Sequence, residues 1–282
     1  MERKPAWLKV TYNQQEVEQI AGMMQAMGLH TVCREANCPN MGECYKKHTA
    51  TFMILGSRCT RNCRFCNVTH GRPEPVDPAE PQHVADAAKA LGLRHVVVTC
   101  VTRDDLPDGG AGQFAATISA IRRTVPGATV EVLISDMQGR TDSLDTVIAA
   151  GPDVINHNLE TVPQLYAQVR PQAVYQRSLD VLRYVKQKAP HILTKTGIMV
   201  GLGETDEQIY ALMRDVRAVG CDILTIGQYL QPSERHVALQ AYITPEKFAE
   251  YKQKGEEMGF RYVASGPLVR SSYKAQEALR GL

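Results

Sequence analysis

Thr51-Phe52-Met53-Ile54-Leu55-Gly56-Ser57-Arg58-Cys59-Thr60-Arg61-Asn62-Cys63-Arg64-Phe65-Cys66 joins a short apolar run to three cysteines spaced C-x3-C-x2-C. The run reads as a strand and the cysteines as the loop that follows it. From there the pattern strand, loop, helix repeats. Candidate strands occupy 51–55, 95–99, 129–134, 154–156, 193–200 and 222–226. Helical periodicities lie between and after them, at 81–91, 112–124, 143–150, 174–188, 205–219 and 245–258. Short Val/Ile-rich strands alternating with helices of roughly 10–15 residues predict parallel βαβ units. Six such units predict an α/β fold, a partial (β/α)6 TIM-like barrel rather than a closed eight-fold one. Residues 1–50 then form an N-terminal extension, 51–260 the barrel, and 261–282 a C-terminal tail with one short strand. The extension is expected to hold a helix over 14–27 and a Cys/Pro/Gly/Asn loop from Cys33 to Cys44.

Sites in barrels of this kind sit at the C-terminal ends of the strands, so the polar residues there carry most information. Ser135 and Asp136 need no more explanation than helix capping. Asn156, Asn158 and Glu160 project together from one strand end and ask for more.

The chain of 282 residues is 44% hydrophobic and 22% charged, with 32 basic against 30 acidic side chains. A net charge of +2 and 6% aromatic residues give no general footprint for nucleic acid or a membrane surface. The longest apolar runs are too short to span a bilayer, and the opening residues lead into no signal-peptide core, so a cytoplasmic setting is expected. Thiols stay reduced there. Eight cysteines, six of them between Cys33 and Cys66, therefore need an explanation other than disulfides.

Three thiolates on a short loop can hold three irons of a [4Fe–4S] cube and leave the fourth open to a small ligand. A structural zinc site would lack its fourth ligand, and a disulfide would strand one thiol. A second triplet, Cys33, Cys38 and Cys44 in C-x4-C-x5-C spacing, implies a second cluster, again one ligand short. The alternative is a zinc or structural cluster that pins the extension. Cys100 and Cys221 stand alone beside apolar strands and read as small core residues. His157 reads as a packed or capping histidine. Lys46, Lys47, His48, Arg58, Arg61 and Arg64 give local positive charge, most of it expected at the solvated surface.

The C-x3-C-x2-C loop after a first barrel strand resembles the radical S-adenosylmethionine superfamily. The resemblance implies that Cys59, Cys63 and Cys66 ligate a cluster whose open iron binds S-adenosylmethionine, with Phe65 bordering the adenine. Thr99 would lie against the methionine moiety, and Asn158, Glu160, Gly201 and Gln228 would line the rest of the cofactor site. In Lys195-Thr196-Gly197-Ile198-Met199-Val200-Gly201-Leu202-Gly203-Glu204 the glycines would let backbone approach adenine. Gly-x-Gly-Glu alone is equally a strand-to-helix turn.

The paired cysteine spacings narrow the resemblance to the lipoyl synthase family. Arg103-Asp104-Asp105-Leu106-Pro107-Asp108-Gly109-Gly110, Asn156-His157-Asn158-Leu159-Glu160-Thr161, Gly227-Gln228-Tyr229-Leu230-Gln231-Pro232-Ser233 and Arg270-Ser271-Ser272-Tyr273-Lys274-Ala275 extend it from about residue 33 to 275. It implies two [4Fe–4S] clusters and two S-adenosylmethionine molecules per turnover. Sulfur from the auxiliary cluster would enter C6 and C8 of an octanoyl group on a carrier lysine. The tail would close over the Cys33–Cys44 loop, Ser272 or its neighbour Ser271 completing that cluster, with Arg270 close by. Implied partners are octanoylated lipoyl-carrier domains, namely 2-oxoacid dehydrogenase acyltransferase subunits and the glycine cleavage H protein. A ferredoxin or flavodoxin would supply electrons. Because such carriers are acidic, the basic residues near the cysteines would suit docking. Two other readings compete. A methylthio-transferring radical enzyme would be supported by a C-terminal RNA-binding module, which the sequence does not show. A two-cluster electron carrier would want four cysteines per cluster.

Overall fold

The computed structural model describes residues 4–9, 18, 22, 24, 27–31, 35, 38, 40, 51–272 and 275–279. Cys33, Cys44, Lys46, Lys47, His48 and most of the helix expected over 14–27 lie outside these residues. Glu18, Gly22 and Met24, which lie inside, are helical. The described residues divide into two compact units, one within 11–61 and 67–156, the other within 1–10, 62–66 and 157–282.

The first unit alternates strand and helix: β1 (His30–Thr31), β2 (Thr51–Ile54), α1 (Glu80–Ala90), β3 (His95–Cys100), α2 (Ala111–Thr124), β4 (Thr129–Leu133), α3 (Thr141–Ala149) and β5 (Val154–Asn156). The strands lie in the order β1-β2-β3-β4-β5. β2 to β5 are mutually parallel, while β1 runs antiparallel to β2 with His30 opposite Met53. Side chains alternate across a strand, so Val96 and Val98, like Val130 and Val132, share one face, and all four are fully buried. Phe114, Ile118 and Ile121 of α2 are buried with them, spaced three and four apart as one helix face requires. The register sets Met53 opposite Thr99, Thr99 opposite Leu133 and Leu133 opposite Asn156, which brings Thr99 and Asn156 to one level near the strand ends.

In the second unit follow α4 (Tyr166–Val169), α5 (Tyr175–Lys188), β6 (Leu193–Val200), α6 (Asp206–Ala218), β7 (Ile223–Gln228), α7 (Pro245–Glu257) and β8 (Tyr262–Gly266). β6, β7 and β8 are parallel neighbours, with Val200 opposite Gln228 and Gly227 opposite Gly266. Their core gathers Leu182, Ile198, Leu212, Met213, Val216, Leu224, Ile226 and Phe248. α6 starts at a reciprocal cap: Gln208 N donates to Thr205 Oγ1 and Thr205 N to Gln208 Oε1.

One device recurs in both units. The residue just before a strand is an aspartate that accepts from the preceding strand's backbone and from a basic side chain on the helix that leads into that preceding strand. Asp153 takes Val130 N at 2.6 Å and Arg122 at 2.8 Å. Asp222 takes Thr194 N and Lys186 Nζ, both at 2.8 Å. Every anticipated strand and helix from residue 51 onward is present with its ends moved by a residue or two. β1 and the one-turn α4 were not anticipated. Among the described residues no helix is long and apolar enough to cross a membrane.

Candidate active site

The cysteine loop begins at a strained residue. Leu55, the first after β2, has φ +70°, a left-handed conformation that costs a non-glycine residue about 1 kcal/mol or more. Both its peptide groups are held by side chains distant in sequence. Leu55 N donates to the two carboxylate oxygens of Glu80 at 3.0 and 2.9 Å, and its carbonyl accepts from Arg103 Nη1 at 3.1 Å. Gly110 makes room for the leucine, since a Cβ there would fall 2.3 Å from Leu55 Cδ1.

Cys59 follows. Its sulfur accepts from Arg61 N at 3.4 Å and Thr102 N at 3.3 Å. Thr60 fastens the loop to the one after β3: its N–H and hydroxyl both donate to Thr102 O, and its Oγ1 accepts from Asp104 N. Arg61 departs from its expected place on the solvated surface. It is 5% exposed, and its guanidinium donates to both Asp104 oxygens, at 2.6 and 2.9 Å, and to Asp136 Oδ1 at 2.6 Å. Burial works against the charged guanidinium, yet the two carboxylates outweigh it and raise its pKa. Asp136 is thus more than a cap, although it also accepts from Gln138 N. Arg58 and Arg64 are exposed, Arg58 lying 3.4 Å from Glu74. Thr99 is buried, its hydroxyl donating to Leu133 O at 3.2 Å.

Cys63 and Cys66 belong to the second unit. Arg64, between them, is held at both ends, its N–H by Val169 O and its carbonyl by Val237 N, each at 2.9 Å. Phe65 packs on the apolar group formed by Val169, Leu202, Tyr229 and Val237. His236 Nε2 lies 3.1 Å from the Cys66 carbonyl, which can only accept. Elsewhere in the second unit, Asn158 Nδ2 donates to Glu160 Oε1 at 3.0 Å, while the buried Asn158 Oδ1 has no partner. Glu160 has φ +68°, and burial pushes its carboxyl above the ordinary range against the pull of Arg170 and Asn158. Gly197 faces this pair: a Cβ there would meet Thr225 Oγ1 at 2.6 Å and Asn158 Oδ1 at 3.0 Å.

Sequence reading overlooked Arg170. Nearly buried, it donates from Nη1 to the Asn158 and Leu159 carbonyls, at 2.8 and 3.0 Å, and so braces the Asn158–Glu160 turn. Gly201 and Gly203 take φ +96° and +111°, and the turn they form is tied by Glu204, whose carboxylate accepts from Gly201 N and Leu202 N. Burial pushes the Glu204 carboxyl up. The Gln228 amide serves backbone on all sides, donating to Val200 O, Tyr229 O and Ala241 O and accepting from Ile243 N. His157 is buried as expected, its Nε2 3.0 Å from Ser178 Oγ. In the tail, Val269 O crowds Gly227 so closely that a Cβ would lie 2.1 Å from it. Ser271 and Ser272 are half-buried, and Arg270 Nη1 donates to Val269 O at 2.7 Å. Cys38 is half-buried as well.

Among the described residues no three thiols, imidazoles or carboxylates are gathered as a metal ion would need. By its chemistry Cys59 suits an iron–sulfur cluster, a soft thiol with two N–H groups aimed at its sulfur. In the second unit an unpartnered buried amide oxygen, Asn158 Oδ1, lies beside a glycine whose side chain would fill the space next to it, a feature suited to a polar ligand.

The profile of the radical SAM superfamily matches residues 53–216. The chain is 57% identical over 277 residues to the lipoyl synthase of Caldanaerobacter subterraneus subsp. tengcongensis, covering 98% of this chain and 97% of that one. It is 59% identical over 275 residues to the lipoyl synthase of Rubrobacter xylanophilus, covering 97% and 86%. Among solved structures, methylornithine synthase superposes with a TM-score of 0.57 at 13% identity, over 92% of this chain and 87% of that one. Streptococcus suis SuiB superposes with a TM-score of 0.60 at 10% identity, over 86% and 55%. These two likenesses speak to the fold alone, and they agree with the partial-barrel α/β class expected from the strand and helix pattern.

Proposed function

The chain belongs to the lipoyl synthase family of the radical SAM superfamily, and from that membership we propose that it inserts sulfur at C6 and C8 of an octanoyl group amide-linked to a carrier lysine. Its cofactors are [4Fe–4S] clusters and S-adenosylmethionine. The observation that carries the reading is the pair of cysteine triplets, C-x4-C-x5-C and C-x3-C-x2-C, in a chain matching its relatives almost end to end. When bound, one cluster would supply the electron for cleavage of S-adenosylmethionine into methionine and a 5′-deoxyadenosyl radical, and the other would supply the sulfur.

In this reading Cys59, Cys63 and Cys66 hold the first cluster, and Cys33, Cys38 and Cys44 with Ser272 hold the second. A serine oxygen suits iron–sulfur chemistry less well than a thiolate and would release more readily when the cluster has to open. Arg270 would donate hydrogen bonds beside it. Phe65 offers its ring to the adenine and keeps water from that side. Asn158 Oδ1 accepts from the ligand and the Glu160 carboxylate receives hydroxyl donors, both held in place by Arg170. Thr99 faces the methionine end. Gly201 brings backbone close to the base, and Gln228 keeps the neighbouring strand ends in register. None of these side chains needs to act as acid or base, because the hydrogen leaves carbon as an atom.

The substrates are lipoyl-carrier domains, and we propose those of 2-oxoacid dehydrogenase acyltransferase subunits and the glycine cleavage H protein. Exposed Arg58 and Arg64 favour an acidic surface. A ferredoxin or flavodoxin serves as reductase, and the cytoplasm is the setting. The division into an extension (1–50), a catalytic barrel (51–260) and a tail (261–282) follows from where the proposed ligands fall. Anaerobic reconstitution with iron and sulfide analysis, followed by mass spectrometry of an octanoylated lysyl peptide, tests the whole. Two added sulfurs with deoxyadenosine release are expected; deoxyadenosine with an unmodified peptide would overturn the substrate assignment.

A further inference from the structure

Arg61 lies between two proposed cluster ligands, and its side chain points away from solvent. Its backbone N–H is one of the two donors to Cys59 Sγ, at 3.4 Å. The other donor, Thr102 N at 3.3 Å, belongs to the loop after β3. Asp104 is in that same loop, and the Arg61 fork grips it with two hydrogen bonds while also reaching Asp136 after β4. One buried guanidinium therefore ties together the segment carrying the cysteine and the segment carrying its second N–H donor. A fork–carboxylate pair fixes orientation as well as distance, which a lysine cannot do. The Thr60–Thr102 hydrogen bonds run alongside and leave little freedom to slide.

We propose that Arg61, with Asp104 and Asp136, is a positioning element that sets the two N–H···S contacts on Cys59 and, through them, the reduction potential of the cluster held there. The inference rests on Cys59 being a cluster ligand. The physical argument is electrostatic. Hydrogen bonds to a ligand sulfur stabilise the more negative, reduced cluster and raise its potential. Loosening them makes the cluster harder to reduce. An ion pair serving only to hold the fold would leave the potential unmoved.

The test uses the full-length reconstituted enzyme and the EPR signal that changes when S-adenosylmethionine is added. Arg61→Lys keeps the charge opposite Asp136 but loses the fork. Arg61→Gln alone leaves a buried carboxylate unpaired and is expected to fold poorly, so Arg61→Gln with Asp136→Asn removes both charges together. Iron and sulfide content should match the parent in Arg61→Lys and in the double variant. The reduced-to-oxidised ratio at a fixed donor potential should fall about tenfold in both, equivalent to ~59 mV for a one-electron couple. In the cluster-free protein, hydrogen exchange at the Arg61 and Thr102 amides should quicken while α2 amides stay as in the parent. An unshifted potential in the folded, fully loaded variants overturns the inference. Failure of the underlying ligand reading looks different: Cys59→Ala would then retain an unaltered S-adenosylmethionine-responsive signal.

Discussion

A cysteine's chemistry is decided by what surrounds its sulfur. Cys221 is fully enclosed, and burial pushes its thiol up to about 12; the Cys100 thiol is raised by burial to about 12 as well. The reading as a core residue holds for Cys221, whereas Cys100 at the end of β3 is only half-buried; the raised pKa disfavours the thiolate in both. Cys59 instead has two N–H groups directed at it. Replacing Cys59, Cys63 or Cys66 by Ala should abolish deoxyadenosine formation. Replacing Cys33, Cys38 or Cys44 should leave deoxyadenosine formation in place and abolish dihydrolipoyl product. Chromatography of the nucleoside with mass spectrometry of the peptide separates the two, and a shared phenotype would contradict separate roles for the triplets. Glu160 allows a test by pH. Its folded pKa is raised by burial, so the carboxylate proposed to receive ligand hydroxyls is lost by protonation above the usual carboxylate range. S-adenosylmethionine affinity should therefore weaken as pH falls through that raised value, and Glu160→Gln should bind more weakly at neutral pH with a flatter profile. Equilibrium dialysis across pH checks it.

At the scale of elements, the helices and long strands were legible because their patterns are local. α6 carries its own start signal in Thr205 and Gln208, and β6 is an eight-residue run recognisable without a partner. β1 was not legible, since two residues become a strand only by pairing with Phe52 and Met53 of β2. Nor does any local pattern reveal the left-handed turn at Leu55, which is held by Glu80 and Arg103, 25 and 48 residues away. Gly227 shows the same limit. It reads as part of a motif just past the expected strand, and nothing local shows that the Val269 carbonyl occupies the place a side chain would take. Gly227→Ala should cost about 1–3 kcal/mol, as overpacked sites do, and should free the segment around residues 269–270. A lower urea midpoint with faster proteolysis in the tail is the expected result. An unchanged midpoint would mean that the tail yields at no cost.

For the whole molecule, the proposed service of its last residues to its first cysteines is tested at Ser272. Ser272→Ala should still cleave S-adenosylmethionine but lose sulfur insertion, and Ser271→Ala should be near normal. If the two phenotypes exchange, the ligand is Ser271 and the two-cluster reading stands. The spacing of six cysteines, the strand–helix alternation from residue 51 and the motifs downstream were decided by sequence alone. Ligand count and apolar periodicity are properties of neighbouring residues, which a linear string retains. The tertiary structure alone decided that Arg61 is buried and not a surface charge, that Arg170 braces Asn158 and Glu160, and that Leu55 bears the strain of the turn. Whether a charge can be buried depends on its counter-charges, and those of Arg61 lie 43 and 75 residues along the chain, brought to it only when the parallel strands set their ends side by side.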